Sequence, residues 1–251
     1  LYHQLSDEWN VLSAPPSWLT GHVLRRDCIL APIPAADYAK HADELVLLPE
    51  IGIGSQGEVG SVLLFGAVPL DAMKTIALPS DSATSVALLK HLISKKGRAM
   101  EYISTGPDYE SMMAIADGAL LIGDRALEAA KEFPEMVQMD LGTAWMEEED
   151  LPMIFGVFVA RKDTPLPTLK AAHASLVSNL ERFESDDRKR QSVIEWSMRK
   201  SGLSHERLDQ YYGEVFNRLN HHHLSGLYRF LQHACGMETE PQFAWGQRTV
   251  V

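Results

Sequence analysis

The segment Leu78-Pro79-Ser80-Asp81-Ser82-Ala83-Thr84-Ser85-Val86 packs hydroxyl and carboxyl side chains between an apolar run and an amphipathic stretch. A strand that ends here and passes straight into a helix leaves the first-turn N–H groups without intrahelical acceptors. Together with neighbouring hydroxyls they form a carboxylate or phosphate site. The other reading is ordinary capping, for which Ser80, Asp81 or Ser82 alone would suffice. The segment supplies more such side chains than one cap needs, so Ser82, Ala83, Thr84 and Ser85 are expected to hold an anion.

A second strand-to-helix turn, Leu120-Leu121-Ile122-Gly123-Asp124-Arg125, puts the Asp124 carboxylate between a buried strand and a helix. N-capping explains Asp124 locally; in a layered α/β protein the same position also faces the cleft at the strand ends. Other patterns lead elsewhere. Gly52-Ile53-Gly54-Ser55-Gln56-Gly57 matches GxGxxG, but a strand over Ser61–Phe65 follows where the dinucleotide mechanism requires a helix. It reads as a loop. Consecutive helical residues point about 100° apart, so His221-His222-His223 cannot readily share one ion and reads as solvated histidines at a helix end. Nucleophile elbow, P-loop and HExxH patterns are missing from the sequence.

The elements that must position these residues alternate. Strands are expected at Asn10–Ser13, Cys28–Ala31 (broken by Pro32 and Pro34), Leu45–Pro49, Ser61–Phe65, Thr75–Leu78, Met100–Ile103, Ala119–Gly123, Val137–Leu141 and Ile154–Ala160. Helices are expected as the end of one at Leu1–Glu8, then over Trp18–Arg26 capped by Ser17, at Ala35–His41, Ser82–Lys95 and Tyr109–Ala116, and over Arg125–Lys131 capped by Asp124. A polar loop should follow Leu141. From Thr168 to Gly236 the pattern is helical, with breaks near Ser185, Ser201-Gly202 and Asn220. Short apolar strands between helices imply a largely parallel sheet covered on both faces. A complete βαβα unit between Ser61–Phe65 and Ile154–Ala160 implies two lobes, 1–67 plus 154–251 and an inserted 68–153. The C-terminal helices should pack back on the first lobe, and a ligand should sit in the interlobe cleft.

Composition narrows the classes. The 251 residues carry a formal charge of −11, with 45% hydrophobic and 23% charged residues. That is a globular, non-disordered balance, and an acidic chain of this kind is a poor partner for nucleic acid. No apolar run is long enough to span a membrane. Two cysteines, Cys28 and Cys235, outside any CxxC pair, fit a reducing, cytoplasmic setting.

Five strings occur in order: Ala31-Pro32-Ile33-Pro34 with Tyr38-Ala39, Ser61-Val62-Leu63-Leu64-Phe65, Asp81-Ser82-Ala83-Thr84-Ser85, Leu121-Ile122-Gly123-Asp124-Arg125-Ala126-Leu127, and Asp140-Leu141-Gly142 with Trp145 and Leu151-Pro152. Their order and spacing resemble the MqnA chorismate dehydratases of the futalosine route to menaquinone, related to the MqnD enzymes. Gly226-Leu227 with Phe230 extends the likeness, which spans nearly the whole chain. The resemblance implies a two-lobed fold like type II periplasmic binding proteins. It also implies dehydration of the small anion chorismate to 3-[(1-carboxyvinyl)oxy]benzoate, without cofactor or metal. Two departures stand out. The family usually opens with a strand and an Asn-containing cleft loop ahead of the helix that Leu1–Leu5 continues. Its usual Thr-Gly before Leu-Pro is Glu149-Asp150 here.

Read with this resemblance, Ser61 and the Ser82–Ser85 turn are the carboxylate holders, and Asp124 is the candidate for the general base. A substrate carboxylate acting on its own proton is the other route. The competing class is a non-catalytic solute-binding or sensor protein of the same fold, marked by an export signal. An enzyme of the MqnD type acting on a larger substrate is a further alternative.

Overall fold

The computed structural model describes residues 8–246. The helix end expected at Leu1–Glu8 therefore lies, apart from Glu8, outside the described residues. Nine strands form two sheets. In chain order they are β1 (Ala31–Pro34), β2 (Leu45–Ser55), β3 (Val62–Gly66), β4 (Thr75–Pro79), β5 (Glu101–Thr105), β6 (Gly118–Ile122), β7 (Val137–Asp140), β8 (Met153–Arg161) and β9 (Val215–Arg218). Strands β1-β8-β2-β9 make a four-stranded sheet and β5-β4-β6-β3-β7 a five-stranded one. The helices are α1 (Pro16–Leu24), α2 (Ala35–Lys40), α3 (Ala83–Lys95), α4 (Tyr109–Met113), α5 (Asp124–Glu132), α6 (Leu141–Glu149), α7 (Leu166–Ser185), α8 (Asp187–Ser201), α9 (His205–Glu214) and α10 (His221–His233).

The sheets are not largely parallel. Only β4 pairs in parallel, with β5 and β6, while every pairing in the four-stranded sheet is antiparallel. The continuous apolar runs that suggested parallel strands report burial on both faces, and antiparallel strands acquire that too when helices cover both sides. Here Leu48, Ile51 and Phe158 meet Leu169 and Leu176 of α7 in one core cluster. Leu47, Val157 and Val159 join Leu227 and Phe230 of α10 in another.

Several local expectations change for physical reasons. Pro32 and Pro34 lie inside β1 instead of breaking a strand at Cys28–Ala31. An edge strand bonded only to β8 tolerates residues without an N–H. The segment at Asn10–Ser13 is irregular and makes no ladder. Pro16 opens α1 with Pro15 at the cap, so Ser17 is not the cap. Leu19, Thr20 and Val23 of α1 face inward, and Trp18 is 66% exposed.

The GxGxxG string is not a loop through its first half, because β2 runs on to Ser55. A Cβ on Gly52 would stand 2.8 Å from a Leu219 methyl carbon, and one on Gly54 would stand 2.5 Å from the Met153 carbonyl oxygen. These glycines admit close neighbours, and no phosphate-binding turn is needed to explain them. The polar stretch after Leu141 is helix α6. Asp140 caps it by accepting from the Thr143 N–H at 2.9 Å, and Leu141 and Trp145 bury one face. Asp150 (φ 54) closes it in the left-handed region. That conformation suits the glycine usual in the resembling family, and a short polar side chain adopts it at modest cost.

The C-terminal breaks fall where expected. Asp186 accepts from the Arg188 and Lys189 N–H groups, Gly202 ends α8 at φ 73, and Asn220 with His223 forms a capping box. The packing differs in part. α7 and α10 cover the four-stranded sheet, but α8 and α9 reach across, and Ile194, Leu203 and Leu208 pack on Leu127 of α5. The short strand β9 between α9 and α10 was hidden in a helical-looking stretch, and pairing with β2 creates it.

Candidate functional site

A cavity of about 230 Å³ opens between the two sheets. From the four-stranded side come Ile33, Ile53, Phe155 and Gly156; from the five-stranded side come Ser61, Val62, Ile122 and Gly123. The β4–α3 turn adds Asp81 and Ser82, the first turn of α3 adds Thr84 and Ser85, and α9 contributes Tyr211. The volume lies just below the roughly 300–1,000 Å³ of common small-molecule sites and suits one compact ligand.

The α3 turn departs from simple capping. Ser82 occupies the cap position (φ −138°, ψ 79°), but its side chain makes no cap hydrogen bond, and no acidic residue lies in the first turn. The first helical bond runs from the Val86 N–H to the Ser82 carbonyl. The N–H groups ahead of it therefore have no i−4 partner within the helix. Ser82, Thr84 and Ser85 are each less than 9% exposed. Thr84 Oγ1 accepts the Ala36 N–H at 3.1 Å, which ties the start of α3 to α2 on the opposite side of the cavity. Ala83, grouped with these residues in the sequence reading, does not line the cavity.

Asp81 is the charged side chain of the lining among the described residues. Its Oδ2 accepts from Arg125 Nη2 at 2.6 Å, joining the β4–α3 and β6–α5 turns. Its Oδ1 is buried without a hydrogen-bond partner. Gly123 takes the cap position of α5 at φ 61, a left-handed conformation that favours glycine. Asp124 is therefore the first helical residue, not the cap, and its side chain makes no cap hydrogen bond. It is exposed and lies outside the cavity lining.

Ser61 sits at the end of a loop held by Asp140, whose carboxylate accepts the Val59 and Gly60 N–H groups at 3.1 and 2.8 Å. Ser61 and Tyr211 both line the cavity. Burial pushes the Tyr211 phenol above its usual range, with the Ser61 hydroxyl working against the shift and Tyr212, Asp124 and Glu214 reinforcing it. Tyr211 is the cavity-lining residue that sequence reasoning missed. No motif marks it, and the only available signal was an aromatic pair, Tyr211-Tyr212, in a polar helix. Asp81 was read there only as a possible cap.

The three histidines do not converge. His221 and His222 are exposed, whereas His223 is partly buried, stacked on Phe216 at 3.8 Å with Nδ1 2.8 Å from the Arg218 carbonyl. The expectation of three solvated rings therefore fails for His223. Burial lowers its pKa, with the Arg218 carbonyl opposing.

The chain is similar to known proteins at two levels. It is 35% identical to the chorismate dehydratase of Thermus thermophilus over 189 residues, 66% of this chain and 67% of that protein. Its fold matches a crystal structure of a protein from Archaeoglobus fulgidus with a TM-score of 0.67 at 19% identity, over 90% of this chain and 86% of that one. It also matches the periplasmic aliphatic sulphonate binding protein of Escherichia coli with a TM-score of 0.59 at 12% identity, over 96% and 84% of the two chains. The architecture is thus the two-lobed binding-protein fold with added C-terminal helices. A menaquinone-biosynthesis family model matches residues 1–235, and the chain belongs to that family.

Proposed function

We propose that this protein dehydrates chorismate to 3-[(1-carboxyvinyl)oxy]benzoate, a carbon–oxygen lyase reaction supplying menaquinone by the futalosine route. The observation that carries the reading is the start of α3, where Ser82, Thr84 and Ser85 line the cavity and the Ser82 side chain makes no cap hydrogen bond. The similarity to the Thermus thermophilus chorismate dehydratase supports the substrate. Chorismate carries two carboxylates and becomes aromatic on losing water. Aromatisation provides the driving force, and the elimination is redox-neutral. The protein's task is to hold the dianion, orient it and exclude water.

Ser61 and the α3 turn hold the carboxylates. Asp124, exposed and outside the lining, acts on the cavity only through its field at Tyr211. Residues 68–153 and the two flanking segments, 1–67 and 154–251, are the lobes that would close on the substrate, with β3 of the first segment crossing into the five-stranded sheet. Cys28 and Cys235 are both free thiols, which supports a cytoplasmic setting.

The test is incubation of the full-length protein with chorismate, with chelator present and no nucleotide added, followed by chromatography for the aromatic product. Product formation supports the reading. Its absence, or activity that the chelator abolishes and a metal restores, refutes it. In a protein that passes, Ser61→Ala should lower kcat/KM by about 10-fold or more, roughly 1.4 kcal/mol, with an unchanged thermal melt.

A further inference from the structure

Residues Arg207, Tyr211 and Glu214 lie on one face of α9, spaced four and three apart. That face is docked against the loop carrying Ser61. The Arg207 guanidinium and the Glu214 carboxylate form a bidentate pair at 3.1 and 3.0 Å. A Cβ on Gly60 would stand 2.4 Å from Glu214 Oε2 and 2.5 Å from Arg207 Nη2. Gly60 is at φ 63, and Asp140 clamps its N–H from the other side. Tyr211 is thereby fixed beside the loop carrying Ser61, and both residues line the cavity.

Loss of water from a ring alcohol needs a proton on the departing oxygen, because hydroxide is a poor leaving group. Asp81 is pinned by Arg125, and Asp124 lies outside the lining. We propose that Tyr211, which lines the cavity, is the proton donor to the substrate's departing hydroxyl. This rests on the dehydratase reading.

The C–H electron pair of the ring becomes the new double bond, and the C–O pair departs on the hydroxyl oxygen. The phenol proton converts that oxygen to water, and the phenolate recovers the proton released at the ring carbon. Substrate loses only water, and no co-reactant is consumed. Burial keeps the phenol protonated at neutral pH. Water is a far weaker acid than a phenol, so transfer to a nascent hydroxide runs downhill.

The experiment compares the full-length parent with Tyr211→Phe, reading kcat and KM on chorismate, chorismate affinity by calorimetry and a thermal melt. General acid catalysis contributes about 10²- to 10⁴-fold, so kcat should fall by about 100-fold or more while affinity and melt stay at parental values. A Tyr211→Phe protein with parental kcat overturns the assignment and leaves the dehydratase reading standing. A fall in affinity matching the fall in kcat/KM, with kcat unchanged, also overturns it, since Tyr211 would then only bind. A parent that binds chorismate and forms no aromatic product overturns both. If Tyr211→Phe melts early, the parent decides: its kcat should fall in heavy water, because the donated proton is in flight in the transition state, and an unchanged kcat refutes the donor.

Discussion

Thr84→Val removes one oxygen from a place where it serves two purposes. Ala36 is 4% exposed and Thr84 2%, so the Ala36 N–H that Thr84 Oγ1 accepts at 3.1 Å has no water to turn to. Leaving a buried donor unpaired costs about 1–3 kcal/mol. Valine keeps the shape, and its extra buried methyl returns up to about 0.8 kcal/mol. The unpaired donor wins, with a net loss of about 1–2 kcal/mol. For a chain of this size that corresponds to a fall in Tm of about 2–8 °C. Thr84 also lines the cavity, and losing a hydrogen bond to a charged ligand costs about 1.5–3 kcal/mol, or about 10- to 150-fold in affinity. Thr84→Ser separates these effects from mere packing, since it keeps the oxygen and loses only the methyl. Thermal melts and chorismate calorimetry on both variants check the reasoning. It is refuted if Thr84→Val melts and binds like the parent, or if Thr84→Ser proves the worse of the two.

Gly226→Ala should destabilise the protein although alanine is the better helix former by about 1 kcal/mol. Its Cβ would lie 1.9 Å from the Pro152 carbonyl oxygen, a backbone atom that cannot swing aside, so the clash outweighs the propensity gain. Denaturant unfolding with a midpoint at or above the parent's would refute this. The pH dependence of stability should carry the mark of His223. Its imidazole titrates lower in the folded protein than in the unfolded chain, so the unfolded state takes up the proton first. Its stabilising contribution is present above about pH 6.5 and is lost as pH falls toward the lower folded value. The drop in Tm between pH 7 and pH 5 should shrink in His223→Phe, which keeps the stack on Phe216; an equal drop counts against the argument.

The sequence carried the strand-to-helix turns because each is local. Leu78–Val86 names its own strand end, hydroxyl cluster and helix start within nine neighbouring residues, and the structure places Ser82, Thr84 and Ser85 at one cavity. The helix breaks at Ser185, Gly202 and Asn220 were legible for the same reason, as cap and left-handed residues mark themselves. What failed to show was whatever depends on a distant partner. Pro32 and Pro34 look like breakers until β8 makes β1 an edge. Val215–Arg218 is a strand only because β2 lies beside it, and Tyr211 belongs to the site only because α9 docks on Gly60. Asp124 was misplaced by one residue of register: with Gly123 at the cap, the carboxylate turns outward.

An acidic chain that binds a dianion has to find its positive potential somewhere, and the lining shows where. Asp81 is its one charged side chain among the described residues, and the nearby Arg125 is already committed to that carboxylate. What remains is dipolar: the start of α3, the start of α5 beside Gly123, and the hydroxyls of Ser61, Ser82, Thr84 and Ser85. Each helix start is worth about half a positive charge, so two of them fall short of neutralising two carboxylates. The shortfall suits this chemistry. Dehydration leaves both carboxylates in place, so any cation spent on them would grip substrate and product alike and raise no rate. Hydroxyls and N–H groups fix orientation without that uniform grip. The discriminating contact must then be to the group that changes, the departing hydroxyl, and the Tyr211 phenol is the part of the lining suited to meet it.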